Sequence, residues 1–523
     1  MTPPGALRPE DGLGGELVRG VTANALGRLA SIAAWLLVTP FVVQSLGPQR
    51  FGLWSLVSSA AGFSLVFDFG LAAAVTRFVA AHRTTGEEPA MRGVLTLGVA
   101  GSAALGALWW LVVGLAPGPL LEFAHVDAAL APEATRMLWV MGGAFLLQLV
   151  AAAFSAALAG FQRFDRIGVN LLWSSSVQVA GTALAVWRGD GLAGVAWAAA
   201  AGALVSLVAS WFSLRAVWPG AGLAGGSALA EAWRGFGGFG VALQVVNLGS
   251  LALYQLPKVF LARFVSLESV GHFELGYRVA FSAWSLPTLL LPPLLPAASR
   301  LEASGERERL VRLYVRASRY LLALALPLAA ALVALAGPFY TLWLGPGHAP
   351  EAQALAAIAA LLGVNVLTST GCLLARGMGR PWWEAGYLTF SVVLQCALAP
   401  WLVHEFAAGG VLLAMAVAGA AGTTVFLVVF HRAIALSLSS FLAGVVARPM
   451  AAAVIASVLA WLASGAPWSD PAAWDRARAA GGLAAGGAVM LLAAVVLLSM
   501  TRALTPGDVR DLVTRLRVTS ERA

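Results

Sequence analysis

The sequence predicts an all-α integral membrane protein with about fourteen transmembrane helices, and three observations support that fold class. Of the 523 residues, 59% are apolar and only 11% charged, whereas soluble domains carry about 25% charged residues; the mean hydropathy is +0.82. Apolar stretches of helix length recur along the whole chain. The connections are too short to fold alone, the longest being 117–133, 219–235, 297–311 and 466–478.

A hydrocarbon core about 30 Å thick needs about 20 mostly apolar helical residues. That ruler places spans at 17–46, 51–80, 91–116, 134–161, 166–187, 191–218, 236–264, 269–296, 312–336, 352–376, 382–403, 407–431, 447–465 and 479–502. Residues 1–16 are polar and rich in Pro and Gly, with no convincing small-residue cleavage site after them, so the first span reads as an uncleaved membrane helix. Spans one to six (17–218) form an N-lobe, and the Gly- and Ala-rich segment 219–235 is the natural linker. Spans seven to twelve (236–432) form a C-lobe, followed by spans thirteen and fourteen (433–502). The charged tail 503–523 has a weak apolar face (Leu512, Val513, Leu516) and reads as a surface helix.

Charge sorts the loops. The chain has 33 basic residues against 25 acidic ones, a net charge of +8. With the N-terminus inside, 24 basic residues fall on the inner side, 6 on the outer side, and Arg28, Lys258 and Arg278 remain within spans. That bias predicts that both termini are cytoplasmic. It also accounts for the basic excess without nucleic acid.

A weak internal repeat accompanies the two lobes. Gly52 has an echo at Gly271, 219 residues on, and the same shift sets Thr85-Gly86-Glu87 against Ser304-Gly305-Glu306. It pairs Arg28 with Asn247. Two pseudo-symmetric six-helix lobes with two extra C-terminal helices are therefore expected.

Polar residues recur at helical spacing on several spans, which puts them on one face. Span one carries Asn24, Arg28, Ser31 and Trp35; span seven carries Gln244, Asn247, Tyr254 and Lys258. Asn170, Ser174 and Gln178 line span five; Glu274, Tyr277, Arg278 and Ser285 line span eight; Glu384, Tyr387, Ser391 and Gln395 line span eleven. Uncharged stripes also serve helix–helix packing. Charged ones are costly against lipid and point to a protein-lined cavity. Lys258 is the sole lysine and follows Pro257; snorkelling to the outer surface is its alternative role. The substrate-binding candidates are Asn24, Arg28, Ser31, Trp35, Gln244, Asn247, Tyr254, Lys258 and Arg278. Asp68, Arg77, Glu274 and Glu384 are candidates for coupling or gating.

Catalytic signatures are missing. The six histidines have no metal-ligand spacing, Cys372 and Cys396 are far from any partner set, and no phosphate-binding loop occurs. No cofactor or metal is expected, and a membrane-embedded glycan-processing enzyme is a minor alternative.

Several motifs carry a family resemblance. Leu46-Gly47-Pro48-Gln49-Arg50-Phe51-Gly52-Leu53-Trp54-Ser55-Leu56 resembles the hairpin signature of bacterial polysaccharide flippases, the O-antigen and exopolysaccharide translocases of the multidrug/oligosaccharidyl-lipid/polysaccharide exporter superfamily. Asp68-Phe69-Gly70-Leu71 with Thr76-Arg77-Phe78 looks like their second helix, and Ala159-Gly160-Phe161-Gln162-Arg163-Phe164-Asp165 like their first-lobe signature. Phe260-Leu261-Ala262-Arg263-Phe264, Val270-Gly271-His272-Phe273 and Tyr277-Arg278 are similar to the opening of their second lobe. The likeness spans the first twelve helices in order. The chain departs at Pro257, where the family often has an aspartate. The resemblance implies two lobes around a central cavity, alternating access, and a polyprenyl-diphosphate-linked oligosaccharide as substrate. Arginine suits its diphosphate. A polysaccharide polymerase and chain-length machinery are the implied partners, the flippase itself being expected as a monomer. A drug/ion antiporter of the same superfamily is the main alternative; it would favour acidic cavity residues.

Overall fold

The computed structural model describes residues 13–63, 71–222, 239–288, 291, 294–465 and 475–500. Those residues are α-helical apart from short turns, with no strand among them. Helix is what a spanning segment must form here, because lipid offers the backbone no hydrogen-bond partners. Twelve of the described helices are long and apolar enough to cross a membrane. Large apolar side chains face outward along them, among them Trp173, Trp187, Trp197 and Trp401, as expected for a surface in contact with lipid.

In chain order the helices are α1 (Leu13–Phe63), α2 (Leu71–Thr85), α3 (Glu88–Leu115), α4 (Pro117–Phe123), α5 (Ala131–Gly160), α6 (Phe164–Arg188) and α7 (Gly191–Val217). Then follow α8 (Phe239–Phe264), α9 (Leu267–Thr288), α10 (Leu294–Ala303), α11 (Arg307–Trp343), α12 (Ala349–Gly377), α13 (Trp382–Phe406) and α14 (Ala408–Ile434). The last two are α15 (Leu438–Ala463), which contains a π turn at Leu442–Val446, and α16 (Arg476–Met500).

Two expected spans are absent from the twelve. The span at 51–80 is divided between the far half of α1 and α2, with 64–70 outside the described residues. The span at 269–296 corresponds to α9, whose Glu268, Glu274 and Arg278 dilute its apolar character.

The break in α1 is sharp. Gly47 leaves helical geometry (φ 73°, ψ 167°), and Pro48 opens the next turn. A straight helix would separate Trp35 and Trp54 by about 28 Å at 1.5 Å per residue, yet their ring centroids lie 6.1 Å apart. The helix is therefore a hairpin folded at Gly47.

The chain divides into two compact units, one ending at Gln244 and the other opening at Val245. Most of the expected linker lies in 223–238, outside the described residues. In the first unit α1 packs on α6, α6 on α7, and α5 on α3 and α7, around Val75, Leu95, Leu158 and Leu214. In the second, α12 packs against α9, α11 and α14, and α13 pairs with α14. Tyr314, Leu322, Phe426 and Phe430 are core residues there. Helices α15 and α16 rest on α11 through Leu335, Ala456, Ala460 and Met490.

The repeat is visible in the backbone of each unit taken separately. Gly86 and Gly305 both have positive φ (74° and 70°), a conformation costly for other residues. Each precedes a helix-opening glutamate whose N–H reaches back to a preceding carbonyl, Glu87 to His82 (3.1 Å) and Glu306 to Leu301 (3.0 Å). A second matched pair closes α5 and α12. A Cβ on Gly160 would stand 3.0 Å from the Thr76 carbonyl oxygen, and one on Gly377 would stand 3.0 Å from that of Leu295. Thr76 and Leu295 are themselves 219 residues apart. Gly377→Ala also meets Ala298 Cβ at 2.7 Å, so it should destabilise by about 1–3 kcal/mol through overpacking. Gly386→Ala, with open space around it, should be neutral or slightly stabilising. Unfolding temperatures in detergent compare the two.

Candidate functional site

The second unit carries two groups of buried polar side chains that share an aromatic wall. The first begins with Lys258 on α8, which is 2% exposed. Its ammonium pairs with the carboxylate of Glu274 on α9 and lies 4.9 Å from the centroid of the Tyr277 ring. Arg278, one turn further along α9, donates through Nε to Glu274 Oε1 (2.5 Å). Two cations thus converge on one carboxylate that is itself 4% exposed. Burial costs such ions several kcal/mol each unless close partners offset it. Lys258 does not snorkel.

Gln255, also on α8, donates to the Tyr277 hydroxyl (3.2 Å). Tyr277 and Phe281 stand at 4.3 Å between ring centroids, and Tyr254 meets Phe281 edge-on at 4.8 Å. Tyr254 faces both groups. One side of it belongs to this aromatic wall and the other lines a cavity of about 350 Å³.

That cavity is formed by α8, α9, α12 and α13. Across it, Asn365 on α12 donates to the Tyr254 hydroxyl (2.6 Å) and accepts from Thr423 Oγ1 on α14 (3.0 Å). About three turns along α12, Arg376 meets Glu384 on α13 with two parallel bonds, Nε to Oε2 at 2.6 Å and Nη2 to Oε1 at 2.8 Å. Trp284 and Tyr387 complete the lining with Ser250, Thr368, Ser369 and Cys372. The cavity lies toward the arginine-rich end of the unit. Ser299 on α10 donates to the Gly377 carbonyl (3.0 Å), and Arg307 at the start of α11 donates to that of Ala433 (2.6 Å), which ties the ends of α10, α11, α12 and α14 together in pairs there.

At the opposite end, the start of α12, Glu351 is 3% exposed. Its Oε1 accepts from His348 Nδ1 at 2.8 Å and lies 3.7 Å from His272 Nε2 on α9.

The sequence candidates fall into distinct places. Lys258, Glu274 and Arg278 converge, while Tyr254 and Glu384 share the cavity. Ser31 bonds Ser175 across α1 and α6 at 3.0 Å, and Trp35 packs on Trp54. Arg77 is exposed, its guanidinium over the Phe78 ring at 5.6 Å. Gln244 is half-buried and Asn247 exposed on the early turns of α8. Asp68 and the side chains of Asn24 and Arg28 lie outside the described residues.

Arg376, Asn365 and Thr423 lie outside the sequence candidates. Arg376 stands at the inner end of its span, where it counts as a topogenic charge, while Asn365 and Thr423 stand among small and apolar neighbours. The signal was there for the first two: Asn365, Thr368, Cys372 and Arg376 follow one another at helical spacing on α12.

Comparison with known proteins supplies the remaining context. Residues 17–302 match the family described as polysaccharide biosynthesis protein. An uncharacterized membrane protein, EpsK of Bacillus subtilis (strain 168), is 25% identical over 350 residues, covering 64% of this chain and 66% of that protein, slightly under two-thirds of its length. Among solved structures, the lipid II flippase MurJ in an inward closed conformation aligns with a TM-score of 0.68 at 13% identity, covering 95% of this chain and 100% of that one. An inward-facing multidrug resistance MATE family transporter of the MOP superfamily aligns with a TM-score of 0.63 at 16% identity, covering 80% and 99%. Such distant likeness speaks to the fold, and the family match agrees with the resemblance carried by the hairpin and lobe motifs. The chain is therefore a member of the polysaccharide biosynthesis protein family, a multi-pass helical membrane protein with the fold shared by those flippase and transporter structures.

Proposed function

We propose that this protein moves a polyprenyl-diphosphate-linked oligosaccharide from the cytoplasmic to the periplasmic leaflet of a bacterial inner membrane, by alternating access, for surface polysaccharide synthesis. The observation that carries the reading is a polar interior inside a polysaccharide-family membrane protein: an apolar exterior surrounds hydroxyls, amides and paired charges. A glycan head group cannot cross hydrocarbon unaided, because each desolvated hydroxyl costs several kcal/mol without a partner. Hydrogen-bonding groups along a protected route remove that cost.

The cations at these two sites have carboxylate partners, Lys258 and Arg278 sharing Glu274 and Arg376 on Glu384. Arg28 in the first unit is then the favoured holder of the diphosphate. The second reading is a drug/ion antiporter, supported by the likeness to multidrug transporters. It is disfavoured because the cavity's one carboxylate, Glu384, is already held by Arg376. A cationic drug would want such a carboxylate to be available.

The test is complementation of a gene deletion in the native host. The deletion should stop surface polysaccharide and accumulate its lipid-linked precursor. Arg28→Ala, expressed at equal membrane abundance, should restore neither. Normal polysaccharide from the Arg28→Ala strain would remove the diphosphate role of that residue. Normal polysaccharide in the deletion strain would remove the proposed function.

A further inference from the structure

We propose that the cavity of the second unit is a carbohydrate subsite that takes one neutral pyranose of the head group, a reading that rests on the flippase function above. Its chemistry selects against other ligand classes. The charged lining groups, Arg376 and Glu384, neutralise one another through two parallel bonds, so the site offers no net charge to an ion, a phosphate or a cationic drug. A guanidinium fork engaged in this way is not available to clamp a diphosphate in the same bidentate fashion.

What the cavity does offer is neutral hydrogen bonding beside flat rings. The Tyr254 hydroxyl accepts from Asn365, and its own hydrogen has no acceptor among the described residues. The Asn365 amide spends one N–H on Tyr254 and its oxygen on Thr423; its second N–H has no acceptor among the described residues and can serve a ligand. Ser250 lies one turn before Tyr254 and lines the same space, and its hydroxyl makes no hydrogen bond among the described residues. Trp284 and Tyr387 add aromatic surface. A pyranose combines these two needs, with hydroxyls around its edge and C–H groups on its faces. The volume, about 350 Å³, lies near the low end of the roughly 300–1,000 Å³ typical of small-molecule sites. It suits a single sugar rather than a whole repeat unit.

The division of labour follows. Diphosphate is held elsewhere, and this subsite reads a sugar. The aromatic wall through Tyr254, Tyr277 and Phe281 connects the subsite to the Lys258–Glu274–Arg278 group, so an occupant pressing on Tyr254 bears on the packing of that group.

The experiment is saturation-transfer NMR on the full-length protein in lipid nanodiscs, with the methyl glycosides of glucose, galactose, rhamnose and N-acetylglucosamine as probes. At least one glycoside should receive magnetisation, most strongly at its ring C–H protons. Two variants localise the signal. Asn365→Ala removes one neutral hydrogen-bonding partner and should weaken binding about tenfold. Ser250→Phe fills the cavity without deleting a hydrogen bond among the described residues and should abolish the signal even if Asn365→Ala fails to fold. Transfer to none of the four glycosides overturns the proposal, as does a signal that survives Ser250→Phe. Competition by inorganic diphosphate or tetraphenylphosphonium also overturns it, marking the cavity as an anion or drug site. Translocation measured in parallel separates the two readings. Persistent translocation with no glycoside signal removes the subsite alone. A localised signal with no translocation supports a sugar site and removes the flippase function on which its role depends.

Discussion

Glu274→Gln is expected to be the most damaging conservative substitution in the second unit, lowering stability by about 3–5 kcal/mol. Glutamine keeps the shape and removes the charge that holds both Lys258 and Arg278. Lys258 is 2% exposed, so water cannot replace the lost carboxylate without a rearrangement of α8 and α9. The cost comes from leaving charge buried without its counter-ion, not from the net worth of the original pair. Concerted replacement should therefore behave differently. Lys258→Met, Glu274→Leu and Arg278→Leu together remove every charge of the group and should come close to the parent in stability. Thermal unfolding in detergent measures all of these. If Glu274→Gln melts with the parent, the convergence of two cations on that carboxylate is wrong.

Arg376→Ala is the second large effect, and here activity should suffer more than stability. Arg376 is one-third exposed at its side chain while Glu384 is buried, so the destabilisation is expected at about 2 kcal/mol, discounted for partial solvation. The substitution also leaves a carboxylate bare in a cavity that is neutral in the parent. A neutral sugar then meets an uncompensated charge, and translocation should fall at least about tenfold, the equivalent of about 1.4 kcal/mol in the barrier. Arg376→Lys should recover little, because an ammonium cannot reproduce two parallel bonds to one carboxylate. The double replacement Arg376→Ala with Glu384→Ala restores neutrality and should recover part of the activity. Full activity in Arg376→Ala, with the protein present at parent levels, would detach this pair from transport.

Much of the fold was legible because lipid imposes a simple ruler and a simple charge rule. Spans such as 352–376 and 407–431 appear as α12 and α14 with ends shifted by a few residues. The landmarks Gly86 and Gly305 located the repeat, since a left-handed turn before a helix is a local requirement that glycine meets most readily. Other features were not legible for equally physical reasons. The fold at Gly47 is a backbone event, and the sequence alone announces a break without showing Trp35 returning onto Trp54. Span eight was recognisable, but Glu274 is shared by Lys258 on α8 and Arg278 on α9, a pairing that depends on how two helices are rotated. Lys258 showed that something must compensate it. It did not show that the partner would be Glu274 instead of lipid phosphate or water. The cavity is half visible in the sequence: Tyr254, Glu384 and Tyr387 stand in polar stripes, whereas Asn365 and Arg376 acquire their roles only through partners on α8, α13 and α14.

Reconstitution tests the flippase reading most directly. Purified protein in vesicles containing a polyprenyl-diphosphate-linked oligosaccharide in both leaflets should make the inner-leaflet pool accessible to a glycosidase added outside. Protein-free vesicles should protect that pool. Accelerated exposure of the glycan lipid, reduced in Arg376→Ala, is the predicted result. An inner pool as protected with the protein as without it, for head groups drawn from the host's own surface polysaccharide, would contradict the account.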